Sequence, residues 1–289
     1  MVNLRNNALG MAAALALLSS GVVVAQPAQP QDNAASYLVA REGAAGTLKA
    51  EWLNNPLNGR DYELTVYRPA GIGEDVETPL LIIFDAETYL TEIPTPVILD
   101  NLIRDGLIPP VSAVFIRNPS EASRLEDLAC NAEMSEAMAR GLVPWVHQRI
   151  AVSSNGRDVV LAGSGFGGLM AVCANLSHPA HFGRALSQSG AFWWYPKGVK
   201  APVDATDQYI NRRVRSAAKG RGRIHLVTSN VSQGADTDDL ASVVSSTEAL
   251  QEALNQKDYA VDVQKSDEDS LENVWASALV KGLPELLKE

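Results

Sequence analysis

Asp158-Val-Val-Leu-Ala-Gly-Ser-Gly-Phe-Gly-Gly168 decides how the rest of the chain is read. Val159 to Ala162 is a short apolar run, as expected of a strand buried on both faces. The glycines after it make a sharp turn, and a helix starts at about Phe166. Strand, tight turn and helix in this order form the setting in which G-x-S-x-G presents a nucleophilic serine. Here the five positions are Gly163, Ser164, Gly165, Phe166 and Gly167, so the serine stands one place early and glycine holds the middle. That middle position is strained for any residue bearing a Cβ. Glycine relieves the strain and also removes the attacking oxygen. Ser164 is no ready substitute: it precedes the apex, and alternation along a strand should turn its side chain away from the pocket.

Outward from this turn, strand-like and helix-like stretches alternate from about residue 46. Leu48 to Leu53 and Tyr62 to Arg68 predict an opening antiparallel pair. Pro79 to Phe84 is a continuous apolar run, followed by a helix over Pro96 to Asp105 and a strand over Ser112 to Ile116. A helix over Ala132 to Arg149 leads into the glycine turn. Strands over Arg184 to Gln188, Arg223 to Thr228 and Tyr259 to Gln264 come next, and a last helix runs from Asn273 to Leu287. Alternation of this kind predicts an α/β fold, a mostly parallel sheet with helices on both faces. With the turn at its centre, the fold is expected to be that of an α/β-hydrolase. Ligands should bind at the carboxyl ends of its strands.

Residues 1–25 carry the pattern of a secretory signal: Arg5, an apolar run from Leu9 to Leu18, and small residues at Val23 and Ala25. An uncleaved anchor is the alternative. Residues 26–45 read as a polar, Pro-containing flexible linker, and residues 46–289 as the folded domain. The whole chain carries a net charge of −10. Cleavage would remove one Arg, leaving 23 basic against 34 acidic side chains, net −11. That balance argues against nucleic acid as a partner. The expected location is periplasmic or secreted, with no membrane span in the mature chain. Cys130 and Cys173 would then meet an oxidising compartment, which allows a disulfide; two buried thiols are the alternative.

The elbow stretch and two further segments resemble the enterochelin (ferric enterobactin) esterases. Ala162-Gly-Ser-Gly-Phe-Gly-Gly-Leu169 resembles their A-G-Q-S-F-G-G-L, Leu186-Ser-Gln-Ser-Gly-Ala-Phe-Trp-Trp194 resembles L-S-Q-S-G-S-Y-W-W, and Arg124-Leu-Glu-Asp-Leu-Ala-Cys-Asn131 resembles R-x-x-E-L-P-C-N. Trp275 resembles the tryptophan of their H-D-x-x-x-W. The resemblance implies a serine nucleophile at position 165, a histidine base at 270 and an orienting acid near 233. This chain has Gly165, Ser270 and Gln233 there.

The histidines agree with that reading. A triad of this type runs nucleophile, acid, histidine along the chain, yet His147, His178, His181 and His225 all precede Tyr259. His225 lies inside a strand, where a packed histidine is the usual case. On the oxyanion side, Asp85-Ala86-Glu87 replaces the turn that the resemblance implies. Glu87 either places a carboxylate where negative charge would develop, the wrong sign for stabilisation, or turns to solvent.

What remains is a candidate binding site. Phe192, Trp193 and Trp194 follow a strand that should end at the pocket, and aromatic faces suit catechol-like rings; core packing is the alternative. Ser187 and Ser189 should shape the floor, beside Ser164 and Phe166. Arg124 either faces a ligand or pairs with Asp127 or Glu126. The stretch from Lys197 to Arg223 reverses the local charge. Its Arg212, Arg213 and Arg215 would form a basic cap suited to an anionic catecholate, or a solvated helix face. Asp267, Glu268 and Asp269 could in principle hold Ca²⁺, but they read better as a solvated loop. No zinc spacing, phosphate loop or dinucleotide fingerprint occurs, so neither metal nor cofactor is expected. The sequence thus predicts an exported, esterase-like protein that has lost hydrolysis and binds an anionic ligand or a partner protein. An atypical active esterase, and an interaction protein with a closed pocket, are the competing readings.

Overall fold

The computed structural model describes residues 34–55, 59–220, 222–231 and 237–288. The leader read over residues 1–25, most of the linker and Gln233 lie outside them. Eight strands form one sheet: β1 (Thr47–Asn55), β2 (Arg60–Arg68), β3 (Leu80–Phe84), β4 (Ser112–Arg117), β5 (Val159–Ser164), β6 (Arg184–Gln188), β7 (Arg223–Ser229) and β8 (Ala260–Ser266). Their spatial order is β1-β2-β4-β3-β5-β6-β7-β8. β2 runs against both its neighbours, and β4 through β8 pair in parallel.

Helices α1 (Thr95–Arg104), α2 (Glu121–Leu128), α3 (Ala132–Ala137), α4 (Val143–His147), α5 (Phe166–Ser177), α6 (Tyr209–Ser216), α7 (Thr237–Asn255) and α8 (Leu271–Leu287) cover the two faces. Alternation along the strands sorts the core. Leu80, Ile82 and Phe84 of β3 join Val159 and Leu161 of β5 on the face that carries α5. Leu81 and Ile83 join Val160 and Ala162 on the face that carries α1 and α8. All five residues of β3 are buried, as its unbroken apolar run requires.

The helix expected over 132–149 is present as one helical segment over 132–147, in which a π-type turn over Met138–Leu142 joins α3 to α4. Pro144 cannot donate to the carbonyl four residues earlier, and Gly141 beside it is a poor helix former. The short helix α2 had no counterpart in the sequence reading; a reciprocal cap between Ser120 and Ser123 starts it. Cys130, in the turn between α2 and α3, is disulfide-bonded to Cys173 of α5, with Cα atoms 5.5 Å apart.

The chain passes from β3 to β4 in one direction, then returns across β3 to β5. The crevice between the carboxyl ends of β3 and β5 is therefore a topological switch point, where open α/β sheets bind ligands.

Candidate functional site

Gly165 sits between β5 and α5 with φ +53° and ψ −115°. That backbone is foreign to ordinary L-residues and marks the apex of an elbow. Its N–H donates to the Gln188 carbonyl at 3.0 Å, and its own carbonyl accepts from Ala191 N–H at 2.9 Å. Both bonds tie the apex to the end of β6. A Cβ placed on Gly165 would have no neighbour within 4 Å. The flanking glycine is different: a Cβ on Gly163 would come within 2.8 Å of the Gly167 backbone. Close passage of α5 over β5 therefore requires Gly163, whereas Gly165 has open space above it.

That space belongs to a cleft of about 670 Å³. The turn after β3 (Asp85, Ala86, Glu87, Thr88), the elbow (Ser164, Gly165, Phe166), the segment from Arg117 to Arg124 and Trp275 of α8 wall it. No histidine is among the lining residues. His178 and His181 meet edge-on just past the end of α5, and His147 ends α4. His225 is buried in β7 with Nε2 3.4 Å from Gln264 Oε1, and burial lowers its pKa.

Asp85 anchors the cleft wall. Its backbone is left-handed, with φ +59°. Arg124 Nε and Nη2 donate to its two carboxylate oxygens at 2.7 and 2.8 Å, and Asn118 Nδ2 lies 3.3 Å away. These bonds raise the Arg124 pKa further. Of the two readings of Arg124, the structure favours the one at the site, since it lines the cleft; the alternative partners, Asp127 and Glu126, are engaged by Arg60. Burial raises the Asp127 pKa, and the Tyr62 hydroxyl donates to its carboxylate at 2.9 Å.

Glu87 is exposed, and Arg117 Nη1 holds its carboxylate at 2.9 Å. Of the two readings of this residue, the structure favours the one turned outward, at the cleft rim. Counting Asp85, Glu87, Glu92 and Glu121 against Arg117 and Arg124, the lining carries two more acids than bases.

Ser164 is buried and borders the cleft. The fully buried Tyr89 phenol donates to Gln188 Oε1, and Gln188 is the cross-strand neighbour of Ser164. Gln188 Nε2 in turn donates to the Trp275 carbonyl at 3.0 Å. This chain of bonds fastens the elbow to α8. Ser270 caps α8, accepting from Asn273 N–H at 3.2 Å. The position that the resemblance gives to the base is thus a helix cap.

Phe166 lines the cleft, packs against the core and meets Trp193 and Trp194 edge-on, with ring centroids 6.1 and 6.4 Å away. Trp193 is half exposed, whereas Trp194 packs on the core and on Tyr209, and Phe192 is buried. Core packing therefore accounts for Phe192 and Trp194. Ser189 is buried with φ +47° and is absent from the cleft wall.

The basic cap is not assembled. Arg212 pairs with Asp207 at 2.6 Å, Arg213 donates to Ser177 Oγ at 2.7 Å, and Arg215 donates to the Thr206 carbonyl at 2.9 Å. None of the three lines the cleft. Asp85, Asn118 and Tyr89 were not singled out from the sequence, because each acts through a partner more than thirty residues away. Among the described residues, no cluster of three or more His, Cys, Asp or Glu could hold a metal ion. Among them, too, no helix is long and apolar enough to cross a membrane.

An elbow at the switch point of a mostly parallel sheet defines an α/β-hydrolase of the esterase type. The chain belongs to the esterase family described as "Putative esterase", whose pattern it matches over residues 56–286. It is 35% identical over 122 residues to the iron(III) enterobactin esterase of Escherichia coli K12; the match covers 42% of this chain and 30% of that enzyme. Against the iron(III) enterobactin esterase of Dickeya dadantii, identity is 29% over 178 residues, covering 61% of this chain and 41% of that enzyme. The chain thus spans less than half the length of these curated relatives. The crystal structure of the Shigella flexneri enterobactin esterase, solved in the presence of 2,3-dihydroxy-N-benzoyl-serine, superposes with a TM-score of 0.72 at 25% identity, covering 90% of this chain and 62% of that one.

Proposed function

We propose that this chain binds a catechol-bearing ester or amide of the siderophore type in the cleft above Gly165 and does not hydrolyse it. The observation that carries the reading is the apex itself: Gly165 holds elbow geometry with open space above it, and no imidazole lines the cleft. Without a nucleophile and its base, the scaffold loses several orders of magnitude in rate. The aromatic faces of Phe166 and Trp275 suit a catechol ring. The open cleft speaks for a ligand over a protein partner that needs no pocket.

Charge narrows the ligand. An acid excess along the cleft disfavours a trianionic ferric tris-catecholate and tolerates an uncharged catechol. The iron-free ligand is therefore the better fit, in place of the anionic complex that the misplaced basic cap suggested. We place the protein outside the cytoplasm, on the strength of its leader-like first 25 residues and its disulfide. The test is quenching of tryptophan fluorescence by 2,3-dihydroxy-N-benzoyl-serine and by iron-free and ferric enterobactin. The reading expects saturable quenching, tighter for the iron-free forms. Absence of saturation with all three ligands would refute it.

A second reading, an atypical active esterase, is favoured by family membership and by Ser164 bordering the cleft. It requires Ser164 to be labelled by a fluorophosphonate, which the burial of its side chain and the missing base oppose.

A further inference from the structure

We propose that the free edge of β1 pairs with the same edge of a second copy of this chain, antiparallel and centred on Ala50, giving a two-fold dimer with one continuous sheet. Among the described residues, β1 ends the sheet and is paired only with β2. It is exposed from Thr47 to Asn54, apart from half-buried Glu51 and buried Leu53. A long open edge is a template for another strand, and proteins that stay monomeric commonly blunt it. The opposite edge follows that rule: β8 (Ala260-Val-Asp-Val-Gln-Lys-Ser266) shows no large exposed hydrophobic side chain. β1 does not, for Leu48 is 52% and Trp52 62% exposed.

The sequence of β1 is complementary to itself. In a pair centred on Ala50, positions equidistant from Ala50 face each other. Leu48 then meets Trp52 of the second copy, and Lys49 meets Glu51 of the second copy, each contact occurring twice by symmetry. Apolar–aromatic and opposite-charge cross-strand pairs both stabilise a sheet, and a surface that matches itself is what a two-fold interface needs. Neighbouring registers lack this match. Centring on Lys49 sets Lys49 against itself, and centring on Glu51 sets Glu51 against itself. Leu48 and Trp52 share the sheet face that carries α1, since their partners on β2 are Tyr67 and Glu63 and the Tyr67 hydroxyl donates to Asp100 of α1. Lys49 and Glu51 share the opposite face, 2.5 Å apart within one strand, so each can turn to its counterpart in the second copy.

Sedimentation of the purified chain over a wide concentration range tests this. The expected result is a reversible species of twice the monomer mass. Trp52→Lys should weaken it about tenfold or more, because two contacts are lost per dimer, while leaving the melting temperature unchanged at concentrations where both chains are monomeric. Lys49→Glu and Glu51→Lys should each be monomeric alone, but an equimolar mixture of the two should dimerise, since every charge then faces its opposite. A wild-type chain monomeric at all concentrations would overturn the proposal. So would single variants that dimerise like wild type, or a mixture that stays monomeric. Dimerisation only after removal of residues 1–33 would also overturn it, by showing that the chain's own leading segment covers the edge.

Discussion

Replacing Gly165 by serine returns the attacking oxygen to the elbow, and the structure sets what this should cost. A Cβ at this position meets nothing within 4 Å, so no packing penalty arises. What remains is the backbone, held at φ +53° and ψ −115°. Forcing a side-chain-bearing residue into such a region costs about 1–3 kcal/mol. With 289 residues, each kcal/mol moves the melting temperature by about 2 °C, so Gly165→Ser should lower it by about 4 °C. Gly163→Ala is the internal comparison. Its new Cβ would press within 2.8 Å of the Gly167 backbone, which cannot yield without separating α5 from β5. It should be the more damaging of the two. Calorimetry of both variants, together with p-nitrophenyl ester hydrolysis, makes the assay. Hydrolysis by Gly165→Ser should stay at background, because no histidine lines the cleft to take the serine proton. A rise in melting temperature for Gly165→Ser, or a milder loss for Gly163→Ala, would refute the apex assignment. Brisk turnover by Gly165→Ser would show that a base reaches the site after all.

Three other perturbations have defined outcomes. Cys130→Ser with Cys173→Ser opens a loop closed across 43 residues and should cost about 4 kcal/mol on the chain-entropy scale, read by urea unfolding; a loss under about 1 kcal/mol would count against a stabilising bond. Arg124→Met strips Asp85 of two charge-assisted hydrogen bonds and should destabilise by about 2 kcal/mol while weakening ligand binding; unaltered binding would remove Asp85 and Arg124 from the site. Burial holds His225 below its ordinary pKa of 6.5, so below that pH the unfolded chain takes up a proton before the folded chain does. Stability should therefore fall as pH drops below about 6.5 and level off once the folded value is passed, and His225→Leu should flatten that slope, leaving a smaller share from His178, whose pKa burial also lowers.

The features legible in the sequence are those that local chemistry fixes. β3 and β5 are unbroken apolar runs because both their faces are covered, and the elbow is spelled by glycines that only a close strand-to-helix turn requires. His225 was read as a packed strand residue, and burial bears that out. What escaped was set by contacts distant in sequence. Arg124 is legible as a site residue and does line the cleft, but neither of its same-helix alternatives holds it: its strongest partner is Asp85, thirty-nine positions away. Arg212, Arg213 and Arg215 cluster in sequence, but α6 spends them on Asp207, Ser177 and Thr206. The helix expected over 132–149 is present over 132–147, but the π-type turn inside it, just ahead of Pro144, has no signal in the apolar period. Gln233, the position matched to the acid, lies outside the described residues.

The central claim is retention of the cleft without turnover. Its most direct test is incubation of iron-free enterobactin with the purified chain at equal concentration, followed by mass spectrometry of the ligand, with the same sample titrated by tryptophan fluorescence. The account predicts saturable binding and recovery of the intact trilactone at the level of a protein-free control. Ring-opened product accumulating beyond one equivalent of protein, or a fluorophosphonate adduct on Ser164, would contradict it.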